Sequence, residues 1–531
     1  MSNDESVHMP GLGNGMAIQG TGASPAAQTT GQRWAALAFI CLALLSVSLK
    51  NTSLNVGLPA IAKSLNASSS QLQWIIDAYT LFSSALLLTM GSVSDRAGRK
   101  RSFVVGTILF AIGSILAGLS TSVWRLTLTQ AFMGIATAVI LPSTLSTITA
   151  TFQQPRERAR AIAIWAAVFG LGNGLGPITS GWLLSFTSWN AIFFVNVPIM
   201  LVAIIGGLIF IRESKDEKAP PPDVVGVVLS IIGLLLLIFG IIEAGGKGWT
   251  DNHVLTALVI AAIFLTAFIV WEYITPHAML PMDLFKKRAF VGANLSLTII
   301  MFSMLGVSFA LTQYWQLVLG YSAFQAGLAV LPLALLMTVM SVLSAHIAEV
   351  VGNRNTVTIA LGISSLSLFY LSAVTTTHTA YLILLVGLLF MGAGLGLATS
   401  PATDSVMSSV PPARAGVGSA MNDTTRQLGG ALGVAVLGSL LNSVYLSQLQ
   451  RVPQLKLLPP EQYQQVNSGL EGAQVIATFL PTPQMQQAFL NVVRAAFVAG
   501  VTDLLFAAGL VMLLGTLLAY VILPHRDEPE Q

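Results

Sequence analysis

Apolar runs of about twenty residues recur along this chain, separated by short polar stretches, and that spacing predicts membrane-spanning helices. A hydrocarbon layer ~30 Å thick needs ~20 apolar residues in an α-helix. Such runs begin near Trp34, Gln71, Ser102, Leu126, Ala159 and Ala191, making six spans. A polar break follows, "IRESKDEKAPPPD" (211–223), then two runs at 224–245 and 254–274, then a second polar stretch, "PMDLFKKRA" (281–289). Six more runs begin near Phe290, Gln325, Val357, Tyr381, Gly416 and Phe497. The pattern predicts an all-α membrane protein with about 14 transmembrane helices. Between the last two lies 447–496, expected as an extracytoplasmic loop, with an amphipathic piece, "QMQQAFLNVVRAAF".

Charge then orients the bundle. "DRAGRKR" (95–101), "QPRERAR" (154–160), "RESKDEK" (212–218), "LFKKR" (284–288) and "GNR" (352–354) fall in alternate loops. The loops between them, such as "GYSAFQAG" and "TTTHTA", are nearly free of basic residues. Excess Lys and Arg marks the cytoplasmic side, so both termini are expected there. Only 9% of the 531 residues are charged, against roughly 25% in soluble domains. The net charge of +3 is dispersed, which gives a nucleic-acid partner no support. Cys41 lies in an apolar run, and with one cysteine no intramolecular disulfide can form. The six histidines are scattered without metal-ligand spacing, so no metal and no cofactor is expected. Residues 1–32 are polar, without a basic stretch leading into an apolar core. They are expected to be a disordered cytoplasmic tail, and 526–531 a second, short one.

An internal repeat divides the body. "GSVSDRAGRK" (91–100) and "AHIAEVVGNR" (345–354) match at Gly91/Ala345, Val93/Ile347, Asp95/Glu349, Gly98/Gly352 and Lys100/Arg354. Setting spans 7 and 8 aside leaves six helices on each side. The expected organisation is a six-helix half at 33–211, a linker with spans 7 and 8 at 212–288, and a second six-helix half at 289–525. Repeated halves rocking about a midplane site are a common plan for transporters.

"GSVSDRAGRKR" resembles the loop signature of the major facilitator superfamily, Gly-x-Leu-x-Asp-Arg-x-Gly-Arg-Lys. Its logic is physical. Gly91 lets helices approach, Gly98 turns the chain, and Asp95 suits either a helix cap or a pair across the halves. Arg96, Arg99, Lys100 and Arg101 suit an anionic leaflet. In the fifth span, "GLGNGLGPITSG" (170–181) resembles the antiporter signature of the same superfamily. There Gly170, Gly174, Gly176, Pro177 and Gly181 make a smooth, kinked face that permits close helix contact. "FFVNVPI" (193–199) and "RQLGGALGVAVLGS" (426–439) are similar to family sequences as well.

Fourteen spans with these motifs resemble the QacA/EmrB-like branch of drug:proton antiporters, over roughly residues 34–525. The resemblance implies a major facilitator fold and export of hydrophobic, often cationic small molecules in exchange for protons. It implies alternating access in a bacterial inner membrane, without ATP, and nothing in the chain resembles a nucleotide-binding loop. Two other readings stand beside it: a dedicated exporter of an endogenous metabolite or lipid with altered coupling, and a non-transporting receptor. No residue pattern supports an enzyme.

Ionisable groups inside spans are costly and mark functional positions. Asp77 in "WIIDAYTL" and Asp423 in "NDTTRQLGG" match family acids that take part in proton coupling, so both are expected to line the cavity. Arg426 is expected with them at the cavity, with structural pairing between Asp423 and Arg426 as the alternative. Glu243, Asp404 and Asp503 sit at span ends and are expected at the interface. The departures are informative. "LKNTSLNVGLP" (49–59) keeps the family's Leu49, Thr52, Asn55, Leu58 and Pro59 but carries Lys50 where the family has an acid. Gln130 replaces an arginine of the fourth span, and Met337 stands at an acid position of the tenth. At 1.5 Å per residue, Lys50 and Asp77 differ in depth by only ~8 Å, which predicts an ion pair holding Asp77 ionised. A positive wall disfavours small permanent cations and leaves neutral, zwitterionic or anionic amphiphiles. Trp165, Tyr314, Trp315 and Phe194 are candidates for stacking planar cargo.

Overall fold

The computed structural model describes residues 29–524, apart from 68, 216–222, 276, 277, 279, 454, 456, 457 and 468. Both terminal tails, 1–28 and 525–531, and much of the break at 211–223 thus lie outside the described residues. The first group of helices is α1 (Thr30–Leu65), α2 (Ser69–Ala97), α3 (Arg99–Gly118), α4 (Val123–Thr151), α5 (Pro155–Leu184), α6 (Ala191–Phe194) and α7 (Asn196–Phe210). A hairpin follows, α8 (Val224–Lys247) and α9 (Asn252–Ile274). The second group is α10 (Arg288–Gln313), α11 (Ala323–Val351), α12 (Asn353–Val374), α13 (Tyr381–Ser409), α14 (Ala415–Gln450), α15 (Pro460–Asn467), α16 (Leu470–Ala477) and α17 (Pro483–Ile522). Among the described residues, fourteen stretches are long and apolar enough to cross a membrane, with α6 and α7 sharing one. No strand occurs among the described residues. In lipid every backbone polar group must bond within the chain, and helices meet that demand.

Helix starts follow from local side chains. Thr29 and Gln32 cap α1 reciprocally, and Ser322 and Gln325 do the same for α11. Asp251 accepts from the first amides of α9. The break between α6 and α7 is held by buried Asn196. Its amide donates to the Ile192 and Phe193 carbonyls at 3.1 and 3.3 Å, and its oxygen accepts from Ser46 of α1 at 2.8 Å.

Two apolar cores result. One is built mainly from residues between Ala36 and Ile211, around Phe103, Phe110, Trp165 and Phe193, and takes in Met407 and Ala415 from the second group. The other runs from Leu284 to Leu523 around Phe290, Tyr314, Trp315 and Tyr445. A smaller third cluster joins Leu81, Ala85 and Leu88 of α2 to Leu234 and Ile238 of α8, Phe268 of α9, and Val417 and Ala420 of α14. The α8–α9 hairpin is therefore fastened where the two groups of helices meet.

The stretch 447–496 is mostly helical. α17 begins at Pro483 rather than near Phe497, because the Thr482 hydroxyl caps it and proline tolerates the first turn. Val466, Leu470, Ala473 and Ile476 bury against the second core. Tyr445 donates to the Val466 carbonyl, and Gln474 to that of Leu317 in the π-helical turn Tyr314–Val318.

The internal repeat is visible in the backbone. Gly98 (φ +114°) ends α2 and Gly352 (φ +87°) ends α11, each opening the next helix. A Cβ at Gly98 would also lie 2.6 Å from the Glu213 carboxyl group. Alanine at either glycine is expected to cost roughly 1–3 kcal/mol. Gly362→Ala, whose Cβ would meet nothing nearer than Thr516 Cγ2 at 3.8 Å, is expected to be neutral or slightly stabilising. Thermal unfolding in detergent measures all three. Unchanged melting of the Gly98 and Gly352 variants would show that the left-handed turns are not constraining.

Candidate functional site

The two groups of helices touch along two seams, α5 against α11 and α2 against α14. On α5, Gly170, Gly174 and Gly181 turn towards Met337, Ala334 and Phe324 of α11. Hydroxyls stitch the same seam: Ser341 donates to the Ala163 carbonyl at 3.1 Å and Thr338 to that of Ala167 at 3.4 Å. Gly172 and Gly176, offset by two residues and hence about 200° round the helix, turn instead towards Ser48, Leu49 and Thr52 of α1. Pro177 lacks an amide hydrogen, so the Asn173 carbonyl loses its helical partner. Thr52 donates to that carbonyl at 2.9 Å, and Ser53 to the Gly176 carbonyl at 3.1 Å. The threonine of the first-span motif thus repairs the backbone that the fifth-span proline opens. The Asn55 and Pro59 side chains lie outside the described residues.

At the end of the bundle where the basic loops gather, α2 is latched to α14. The Asp95 carboxylate accepts from Arg99 Nε (3.0 Å) and Nη2 (2.8 Å), and from the Gly416 and Val417 amides (2.8 and 3.2 Å) in the first turn of α14. Arg99 donates onward to the Pro412 and Ala413 carbonyls. Both side chains are buried, and an anion at a helix N-terminus in such a place contributes up to ~2 kcal/mol. A side chain at Gly91 would strike Ala420 and the Gly416 backbone. Arg96 is exposed. Lys100 Nζ donates to the Leu208 carbonyl, and Glu213 accepts the Lys100 and Arg101 amides, capping α3.

The repeat partner of Asp95, Glu349 of α11, also reaches across, to Arg156 of α5 at 3.0 Å. Beside it Arg160 meets His346 at 3.3 Å, and Arg158 meets Asp404 of α13 at 3.5 Å. Asp404, expected simply at the interface, ties α13 to α5. Glu243 pairs with Lys247 at the end of α8, and Asp503 is exposed.

Deeper, the charges arrange differently from expectation. Lys50 is 3% exposed, and its ammonium lies 2.9 Å from the centre of the Tyr79 ring. It enters none of the ion pairs found among the described residues. The expected Lys50–Asp77 pair does not form, for a helical reason. Two residues separate Asp77 from Tyr79, about 200° of rotation. Tyr79 faces α4, where its hydroxyl meets that of Thr137 at 3.0 Å. Asp77 precedes Asp95 by eighteen residues, about five turns, so half-buried Asp77 shares the α2 face turned towards α14.

Gln130 shares one face of α4 with Gly134 and Thr137, which touch Tyr79. It is fully buried, and neither its amide nitrogen nor its oxygen bonds to the protein. On α14, Asp423 is 4% exposed; one oxygen accepts from Asn422 at 3.2 Å and the other bonds to no protein group. Arg426, 5% exposed, stacks over Phe169 (4.2 Å) and Trp165 (5.3 Å), and both terminal nitrogens lack protein partners. An Asp423–Arg426 ion pair is not formed either; the aromatic rings of α5 hold the guanidinium instead. Trp165 is therefore the expected aromatic that meets a buried charge. Tyr314 and Trp315 pack against each other and against Tyr321 and Tyr381, while Phe194 lies over Gly118. Tyr79 and Phe169 were not legible as cation partners, since a ring in an apolar run looks like packing. Among the described residues no three His, Cys, Asp or Glu side chains gather as metal ligands.

These features have close parallels. A family model described as Major Facilitator Superfamily matches residues 40–434. The multidrug efflux pump LfrA of Mycolicibacterium smegmatis is 32% identical over 501 residues, covering 93% of this chain and 97% of that protein. The tetracenomycin C resistance and export protein of Streptomyces glaucescens is 29% identical over 517 residues, covering 96% and 95%. Among solved structures, the proton:xylose symporter XylE superposes with a TM-score of 0.61 at 12% identity, covering 94% of this chain and 97% of that one; it shares the fold. The chain is a multi-pass membrane transporter rather than an enzyme, and it belongs to the Major Facilitator Superfamily, in the fourteen-helix branch of multidrug efflux proteins.

Proposed function

We propose that this transporter exports hydrophobic small molecules by alternating access, driven by the proton gradient, in the cytoplasmic membrane of a bacterial cell. Two relatives, named for multidrug efflux and for antibiotic export, support the cargo class. The Lys and Arg excess makes the latched end cytoplasmic, which places both termini inside. The halves 33–211 and 289–525 are then the rocking bodies, with 212–288 as the linker carrying α8 and α9.

The observation that carries this reading is Asp423, a buried carboxylate with one unbonded oxygen on α14, the helix that Asp95 latches. Protonating it removes a negative charge beside Arg426, and deprotonating it restores that charge. The local balance therefore changes at the helix the gate must move. Asp77, on the α2 face turned to α14, is the second candidate carrier. The glycine face of α5 that meets α11 lets the two helices slide on each other without side-chain obstruction. Release of the Asp95–Arg99 latch opens the cytoplasmic end, and its reformation closes that end while cargo leaves outward. No nucleotide is required.

A second reading, a dedicated exporter of an endogenous metabolite or lipid with altered coupling, is favoured by Lys50, a buried cation in the first-span motif where the family pattern has an acid.

Efflux into everted vesicles of lipophilic dyes of each charge sign tests the proposal. Collapse of the pH gradient with nigericin is expected to cut accumulation about tenfold, and Asp423→Asn to do the same, a change of ~1.4 kcal/mol. Accumulation indifferent to both treatments would overturn proton coupling through Asp423. The two cross-half carboxylates should also differ. Asp95→Asn breaks a buried network, worth about 3–5 kcal/mol when one partner is lost, and is expected to abolish transport. Glu349 and Arg156 are 29% and 69% exposed, where ion pairs contribute ~0–1 kcal/mol, so Glu349→Gln should stay within about fivefold of wild type. Equal losses in the same vesicle assay would contradict the assignment of the latch to Asp95.

A further inference from the structure

We propose that the cargo carries a negative charge, received by Lys50 and by the Gln130 amide on the α4 face that meets Tyr79, and that planar anionic amphiphiles are exported in preference to permanent cations. This deepens the exporter reading and rests on it.

Most of the interior charges are balanced. Asp423 and Arg426 are three residues apart on one helix, so they lie on neighbouring positions of the same face and offset each other at short range. Asp95 and Arg99 are paired with each other at the cytoplasmic latch, as are Asp404 and Arg158. Asp77 lies on the face of α2 about 200° away from Tyr79. Among the described residues, Lys50 is an interior cation that has no carboxylate either within ion-pair distance or on its own helix face nearby. It contacts the Tyr79 ring, a desolvated cation–π contact. Burial of an ammonium costs several kcal/mol even after relaxation. The ring alone does not offset that cost, whereas an anion would.

The surroundings fit an anionic aromatic. Tyr79 joins Lys50 to α4, and Gln130 stands on the α4 face that carries the Tyr79 contacts. Its two orphaned amide atoms supply hydrogen-bond capacity that a buried site does not otherwise leave unused. A carboxylate or sulfonate can take the Lys50 ammonium and the Gln130 N–H groups together. On the α14 side of the same interior, Arg426 presents two unbonded terminal nitrogens, held over Phe169 and Trp165. Small cations meet the like charge of Lys50, and like-charge contact is how sites reject a wrong partner. The sign of this wall is the reverse of the one an acid at position 50 would make.

Transport by purified protein in proteoliposomes separates the possibilities, with three probes: 8-anilinonaphthalene-1-sulfonate (anion), ethidium (cation) and Nile red (neutral). Wild type is expected to move the anion at least about tenfold faster than ethidium. Lys50→Met should lower anion transport about tenfold without gain for ethidium, Lys50→Arg should keep it, and Lys50→Asp should invert the preference. Wild-type preference for ethidium overturns the inference without any variant, so a variant that fails to fold does not rescue it. An anion-to-ethidium ratio unchanged within twofold in folded Lys50→Met overturns it too. Nile red transport that survives either result leaves the exporter reading standing. Movement of none of the three probes by wild type would sink both.

Discussion

Asp95 holds the first amides of α14 from across the boundary between the halves, and it reaches them only because Gly91 and Gly416 let two backbones touch. Inside lipid no hydrophobic effect draws one helix to another, so close packing and polar contacts must do so. The same logic governs the other seam. There Gly170, Gly174 and Gly181 bring α5 onto α11, and Thr52 closes the carbonyl that Pro177 frees. Remove the small residues and the polar contacts lose their reach. The repeat relates the two seams: Asp95 and Glu349 each leave their own half for the start of a helix in the other, but one contact is buried and its counterpart is solvated.

From that contact the interior charges take their meaning. α14 carries the latch at its first turn and Asp423 and Arg426 two to three turns further in, so the buried charges share a helix with the latch. The α8–α9 hairpin packs where α2 and α14 meet, through Leu234, Ile238 and Phe268. The linker helices are therefore attached to the moving seam rather than free beside it. Lys50 lies over Tyr79, which faces α4 on the side of α2 turned away from that seam.

Span number, the repeat and both glycine motifs were legible because each depends on local pattern: run length, fixed offsets of acid, glycine and base, and small residues at helical spacing. Boundaries were less so. Phe497 looked like the start of the last span because hydropathy registers lipid, whereas α17 begins fourteen residues earlier at a capped proline. The pairing of Lys50 with Asp77 failed because depth is one coordinate and azimuth another. Equal depth put the two within reach, and a two-residue offset along α2 turned the acid away. Asp423 and Arg426 failed to pair for a different reason. The guanidinium finds two rings on α5, and no one-dimensional pattern on α14 reveals which side chains stand opposite.

The most direct measurement is the distance between spin labels at Arg101 and Ala413, exposed positions on opposite halves at the latched end. Cys41 is buried, so labels go to the introduced cysteines. Double electron–electron resonance on the reconstituted protein should show one short distance in wild type without cargo. In Asp95→Asn a second, longer population should appear. An identical distance distribution in the two proteins would contradict the claim that Asp95 holds the halves together.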